Sequence, residues 1–183
     1  MSRYTFVNAI TDAVGEPAAG ETIDLETLFF ANYDRVARVI ARVVQDPARA
    51  EELAVEVFLK LWKNPPTSRV NPEGWLYRVA VRLAVDELRR EARRQRYESL
   101  LHPFRKAPTP EDLHSASEQQ KRVRRVLASL APLRAQLLLL RNEGFNYTEI
   151  AAALDLNPAS VGTLLSRAQS AFRKEYIERY GEQ

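Results

Sequence analysis

Residues 146–168 read NYTEIAAALDLNPASVGTLLSRA, and few folds accommodate such a stretch. Ile150, Ala151 and Leu154 fall on one face of a first helix, and Val161, Leu164, Leu165 and Ala168 repeat that spacing in a second. Between them stands Asp155-Leu156-Asn157. Asn157 can cap the second helix, and Pro158 falls at its first position, where a missing amide does no harm. Two short helices at a steep angle, with Leu156 in the corner and Ala151, Ala152 and Ala153 small enough for close approach, make a helix-turn-helix. The outward face of the second helix carries Ser160, Gly162, Thr163, Ser166, Arg167 and Gln169, side chains suited to a DNA major groove. A glycine inside a helix costs about 1 kcal/mol relative to alanine, so Gly162 implies that another surface approaches its backbone. An ordinary helical hairpin within a core would share the pattern.

Only six glycines stand among many Ala, Leu, Arg and Glu, which favours an all-α fold. With 183 residues and 45% hydrophobic content, the chain can build one core or two small ones. The absence of cysteine excludes disulfides and thiolate metal sites and fits a reducing cytoplasm. No apolar run approaches the roughly 20 residues that span a bilayer, and the N-terminus lacks a basic-then-apolar signal pattern, so no membrane insertion is expected.

Along the chain, residues 1–22 read as a mobile leader. Leu25, Leu28, Phe29, Tyr33, Val36, Val39, Ile40 and Val43 predict an amphipathic helix ending before Asp46-Pro47. Asp46 caps the next helix, residues 47–63, which buries Ala50, Leu53, Ala54, Val57, Phe58, Leu61 and Trp62. Three prolines make residues 64–72 a loop. A third helix, residues 72–96, has an inner face of Trp75, Leu76, Val79, Ala80, Leu83 and Leu88. Its outer face carries seven arginines, Arg78, Arg82, Arg89, Arg90, Arg93, Arg94 and Arg96. Such a strip beside aromatics suits a polyanion with exposed bases, although a solvated charged helix end has the same composition. Residues 97–116 form a flexible proline-rich linker holding His102 and His114, which lack ligand spacing, so no metal and no cofactor is expected. Ser115 or Ser117 caps the next helix, with Val123, Val126, Leu127 and Leu130 as its stripe. An apolar helix follows over residues 133–142, and Gly144 makes the left-handed turn into the helix-turn-helix. The chain thus divides into two small helical domains, residues 23–96 and 117–183.

Three stretches in this order, AEELAVEVFLKLWK (residues 50–63), GWLYRVAVRLAVDELRR (residues 74–90) and LAPLRAQLLLLRNEGFNYTEIAAALDLNPASVGTLLSRA (residues 130–168), resemble the extracytoplasmic-function sigma factors of bacterial RNA polymerase. The resemblance implies a transcription initiation factor that is not an enzyme. Glu52, Leu53, Glu56 and Phe58 would dock on the clamp of core RNA polymerase. Trp75, Tyr77, Arg78, Arg82, Arg89 and Arg90 would engage the -10 promoter element, and the loop at residues 64–71 would capture a flipped base. Tyr147, Thr148, Ser160, Gly162, Thr163, Ser166 and Arg167 would read the -35 element. An anti-sigma factor is implied as a further partner.

The chain departs from the family pattern at Glu52, where aspartate is usual, Val55, where glutamine is usual, and Arg82, where asparagine is common. Gly162 and Leu164 stand where basic residues are frequent, and Asp155 replaces the turn glycine. These departures lead to an expectation of weak or unusual promoter choice. They leave open a sigma-like decoy that sequesters an anti-sigma factor, and a stand-alone dimeric helix-turn-helix regulator.

Overall fold

The computed structural model describes residues 25–65, 71–101 and 118–181. Among them the fold is all-helical, with seven helices: α1 (Leu25–Ala41), α2 (Pro47–Lys63), α3 (Pro72–Leu101), α4 (Glu118–Ser129), α5 (Pro132–Asn142), α6 (Tyr147–Leu154) and α7 (Pro158–Tyr180). The leader, the serines proposed to cap α4 and the linker prolines lie outside the described residues.

Helix α1 buries Phe29, Val36, Val39 and Ile40 along one face. It stops at Ala41 rather than running on to Asp46, because the amides of Val43 and Val44 both turn back onto the Ile40 carbonyl, at 3.1 and 3.0 Å. That turn puts both valines in the core. Burial of two apolar side chains, about 1.5–3 kcal/mol each, outweighs one further helical turn. Helix α2 starts as its sequence dictates. The Asp46 carboxylate accepts the Arg49 amide at 3.2 Å, Pro47 occupies the first turn, and Ala50, Leu53, Ala54, Val57, Phe58 and Leu61 face inward.

Helix α3 is the centre of the molecule. Its fully buried residues are Leu76, Tyr77, Ala80, Val81, Ala84, Val85 and Leu88, while Trp75, Val79 and Leu83 are only partly buried. The predicted stripe was too narrow because α3 packs on two sides, against α1 and α2 on one and against α4, α5 and α6 on the other. The helix also continues five residues past Arg96. Nothing in residues 97–101 breaks it, and Arg94 and Glu98 support the extension as a pair one turn apart, at 3.7 Å.

The second group closes around the predicted helix-turn-helix. Gly144 takes φ +83°, as its position required. Asn146 and Glu149 form a reciprocal capping box at the start of α6, with bonds of 2.9 and 2.7 Å. Asp155 then adopts the left-handed conformation, φ 58° and ψ 50°, in which aspartate is tolerated better than most residues. The Leu156 amide bonds to the Ala151 carbonyl at 2.9 Å, and the Asn157 side chain caps α7 through the Ala159 amide. Val161, Leu165 and Ala168 hold α7 to the core. One continuous apolar cluster runs from Phe29 of α1 to Leu165 of α7, so the two groups of helices are packed together across α3.

Candidate nucleic-acid interface

The helix-turn-helix presents its predicted reading face. Thr148, Thr163, Ser166 and Arg167 are exposed, and Tyr147 is 48% exposed. Ser160 is committed elsewhere: it is partly buried, and its hydroxyl donates to the Asn157 carbonyl at 2.7 Å. Gly162 has the Tyr147 ring as its neighbour. A Cβ there would stand 3.4 Å from the Tyr147 ring, an ordinary contact, so this phenol lies beside the first turns of α7 without demanding a glycine. The Arg141 guanidinium is 5.6 Å from the centre of the same ring. Sequence reasoning missed Arg141, although a basic residue in the last turn of α5, just before the motif, was the signal that could have found it.

On α2, Glu52 is exposed and Glu56 partly so, whereas Leu53 and Phe58 are buried. Phe58 packs 4.9 Å from Phe29 and 6.1 Å from Tyr33, ring centre to ring centre. Both apolar residues are therefore core, and a protein docking on this helix would meet its carboxylates. Glu52 is also oriented by Arg49, which bonds it at 2.9 Å and reaches Glu87 of α3 at 3.0 Å.

The strip along α3 divides in two. Arg82 and Arg90 are solvent-facing, with side chains 76% and 71% exposed, and Arg93, Arg94 and Arg96 are exposed beside them. Trp75 is partly buried. Tyr77, placed on the open strip by the sequence, is instead 5% exposed. Its hydroxyl donates to Asn32 Oδ1 at 2.8 Å, and its ring meets that of Phe145 edge to face at 4.7 Å. Burial pushes the Tyr77 phenol above its ordinary pKa, with the Arg35 cation pulling the other way. Arg78 is also engaged, donating from Nε to the Ala153 carbonyl at 2.7 Å. Arg89 donates to the Leu130 carbonyl. Three of the six candidate -10 residues are thus covered or held by the second group of helices, because the period of a lone helix cannot reveal that it has neighbours on two sides.

The remaining basic surface draws on more of the chain than α3. Arg93 and Arg96 of α3 share a groove of about 640 Å³ with Arg125 of α4 and Arg179 of α7, the last of which is paired with Glu175. A basic groove built from three helices suits a phosphate backbone. Among the described residues no cluster of three or more His, Asp or Glu side chains is arranged to hold a metal, and both histidines lie outside them. No described helix is long and apolar enough to cross a membrane.

Residues 28–94, which comprise most of α1, all of α2 and most of α3, match the Sigma-70 region 2 family, and residues 120–170 match Sigma-70 region 4. The chain is 31% identical over 186 residues to the ECF RNA polymerase sigma factor SigK of Mycolicibacterium vanbaalenii, covering 94% of this chain and 92% of that one. It is 29% identical over 181 residues to ECF RNA polymerase sigma factor SigE of Mycolicibacterium smegmatis, covering 96% and 69%. To the ferric citrate uptake sigma factor FecI of Escherichia coli it is 28% identical over 162 residues, covering 85% and 94%. Among solved structures, the Bartonella quintana sigma factor RpoE, in complex with the anti-sigma factor NepR, matches with a TM-score of 0.49 and 16% identity, covering 83% of this chain and 96% of that one. With both sigma regions in order and near-complete coverage of the SigK relative, the chain belongs to the ECF RNA polymerase sigma factor family.

Proposed function

We propose that this sigma factor divides promoter recognition between its two groups of helices, region 2 opening the -10 element and region 4 docking the -35 element. The function is promoter-directed initiation of transcription by RNA polymerase. The observation that carries the division of labour is the exposed face of α7, with Thr163, Ser166 and Arg167 directed to solvent beside Tyr147. A helix of this kind reads base edges with its short polar side chains and phosphates with its arginine. On α3, Arg82 and Arg90 are already exposed to phosphates, and Trp75 offers a partial ring face for an unpaired base. Clamp docking falls to Glu52 and Glu56 of α2. The chain contributes recognition and the polymerase contributes catalysis, in the bacterial cytoplasm.

An anti-sigma partner accompanies this reading. A groove of about 1010 Å³ runs between the two groups of helices, walled by Val43, Val44, Val123, Leu127, Leu138 and Phe172, and offers an apolar seat for such a protein.

Run-off transcription tests the whole reading. Purified chain added to bacterial core polymerase with a pool of upstream fragments is expected to yield transcripts that share a two-part element. Arg82→Ala should then reduce opening, and Arg167→Ala should reduce duplex docking. Transcription no greater than that of core alone would reject the assignment.

A further inference from the structure

The basic groove between α3 and α4 continues into a second hollow, which the promoter reading leaves unused. The wider part, about 640 Å³, has Arg93 and Arg96 on its α3 wall and Arg125 on its α4 wall. A smaller hollow of about 70 Å³ adjoins it, and Ala92, Gln95 and Arg125 line both, so the two form one cleft. The buried residues Leu88 and Arg124 floor the small hollow. Its volume is that of about two water molecules, room for one phosphoryl group. The wider part falls within the roughly 300–1,000 Å³ of small-molecule sites.

Several cations around the cleft are already answered. Lys121 pairs with Glu118 at 3.1 Å, Arg179 with Glu175, and Arg124 with Glu91 at 2.7 Å. Arg93 and Arg125, both exposed and on facing walls, pair with no carboxylate among the described residues. Arg124 Nε, in a residue only 9% exposed, finds no acceptor. Buried donors without a partner are rare, and an anion seated in the hollow beside this one would lower its cost. Guanidiniums on two facing helices suit linked tetrahedral oxyanions, each fork meeting two oxygens. A nucleic-acid strand continues in both directions, whereas the small hollow stops at a buried floor and so takes a chain that ends. We propose that the α3–α4 cleft binds a small oligophosphate, with its terminal phosphoryl group in the hollow beside Arg124 and the rest of the chain between Arg93 and Arg125. The source is either an inorganic polyphosphate or the tail of a nucleoside polyphosphate. Such binding needs neither polymerase nor promoter, so it stands or falls apart from the initiation function.

Calorimetric titration of the full chain tests the site, at physiological ionic strength, where diffuse attraction is screened, and without divalent cations, which would compete for the ligand. Inorganic triphosphate should bind one to one, at least tenfold tighter than inorganic orthophosphate. Adenosine triphosphate distinguishes the sources: an affinity no greater than that of triphosphate means that the phosphate chain alone is read, and a higher one means that the nucleoside is read as well. Arg93→Gln and Arg125→Gln, on separate helices, should each weaken triphosphate binding at least tenfold, and Arg93→Lys or Arg125→Lys should recover part of the loss. Arg94→Gln removes the same charge from an exposed α3 residue outside the cleft and should change the affinity less than twofold. Helicity, measured on each variant, confirms that these exposed positions leave the fold intact. An Arg94→Gln loss as large as that of Arg93→Gln would reduce the attraction to net charge and overturn the proposal, as would the absence of saturable binding. Displacement of triphosphate by a lower concentration of single-stranded oligonucleotide would give the cleft to nucleic acid and overturn it equally.

Discussion

The Arg35 guanidinium lies 4.0 Å from the centre of the Phe145 ring, tying the first helix of region 2 to the turn that opens the helix-turn-helix. The same cation is 5.3 Å from the Tyr77 ring, so it covers both members of an aromatic pair shared by the two groups. A partly desolvated cation over aromatic faces contributes about 1–2 kcal/mol. Truncating a buried phenylalanine costs about 3–5 kcal/mol. Phe145→Ala is therefore expected to lower the urea midpoint more than Arg35→Ala does. The double variant should lose less than the sum, because the two residues touch. Strictly additive losses would contradict the arrangement.

Alkaline pH should loosen the same place. Tyr77 is buried, its phenol pKa is raised, and the groups around it are Arg35 of α1, which lowers the value, and Glu73 of α3 and Glu149 of α6, which raise it. A raised folded pKa means that the folded chain holds the proton more tightly than the unfolded one. Its contribution to stability is thus complete below the ordinary tyrosine value of about 10 and is lost as pH rises through the folded value. Unfolding midpoints measured between pH 8 and pH 11 should fall above about pH 10, and Tyr77→Phe should flatten that fall. A Tyr77→Phe chain with the unchanged alkaline slope would assign it to other tyrosines.

The capping box at α6 gives a test confined to region 4. Asn146→Ala removes the acceptor for the Glu149 amide and should cost about 1 kcal/mol in a denaturant titration. Asn146→Asp or Asn146→Ser keeps an acceptor and should recover most of it. Loss of equal size in all three variants would mean that the cap contributes little.

Two residues of the reading face should fail differently. Arg167→Ala removes one phosphate charge, so binding to duplex -35 DNA should weaken on every sequence, and the slope of log affinity against log salt should become shallower by about 1. Thr163→Val, which removes a hydroxyl at the groove, should alter base preference at one position by about 1–3 kcal/mol and leave the salt slope in place. Competition assays on a small set of duplexes, repeated at several salt concentrations, separate the two outcomes.

Much of this protein could be read from local chemistry. Asp46-Pro47, Asn146 with Glu149, Gly144 and Asn157-Pro158 fix where helices begin and turn, because caps, proline and left-handed glycine act within a few residues of chain. The exposed polar face proposed to read the -35 element followed from the helical period of α7, whose buried residues Val161, Leu165 and Ala168 form one stripe. What lay out of reach was everything set by a second neighbour. Tyr77, Arg78 and Arg89 read as an open strip because period alone shows one buried face, whereas region 4 covers another. Leu53 and Phe58 read as docking residues, yet the rings of Phe29 and Tyr33 enclose Phe58 in the core. Gly162 read as an opening to some outside surface, and its nearest neighbour is the ring of Tyr147, fifteen residues earlier in the chain, at a distance that leaves room for a Cβ. Caps and periods belong to the chain, but which of two amphipathic faces is buried depends on the partner that arrives there, and only the packing of region 4 onto α3 decided it.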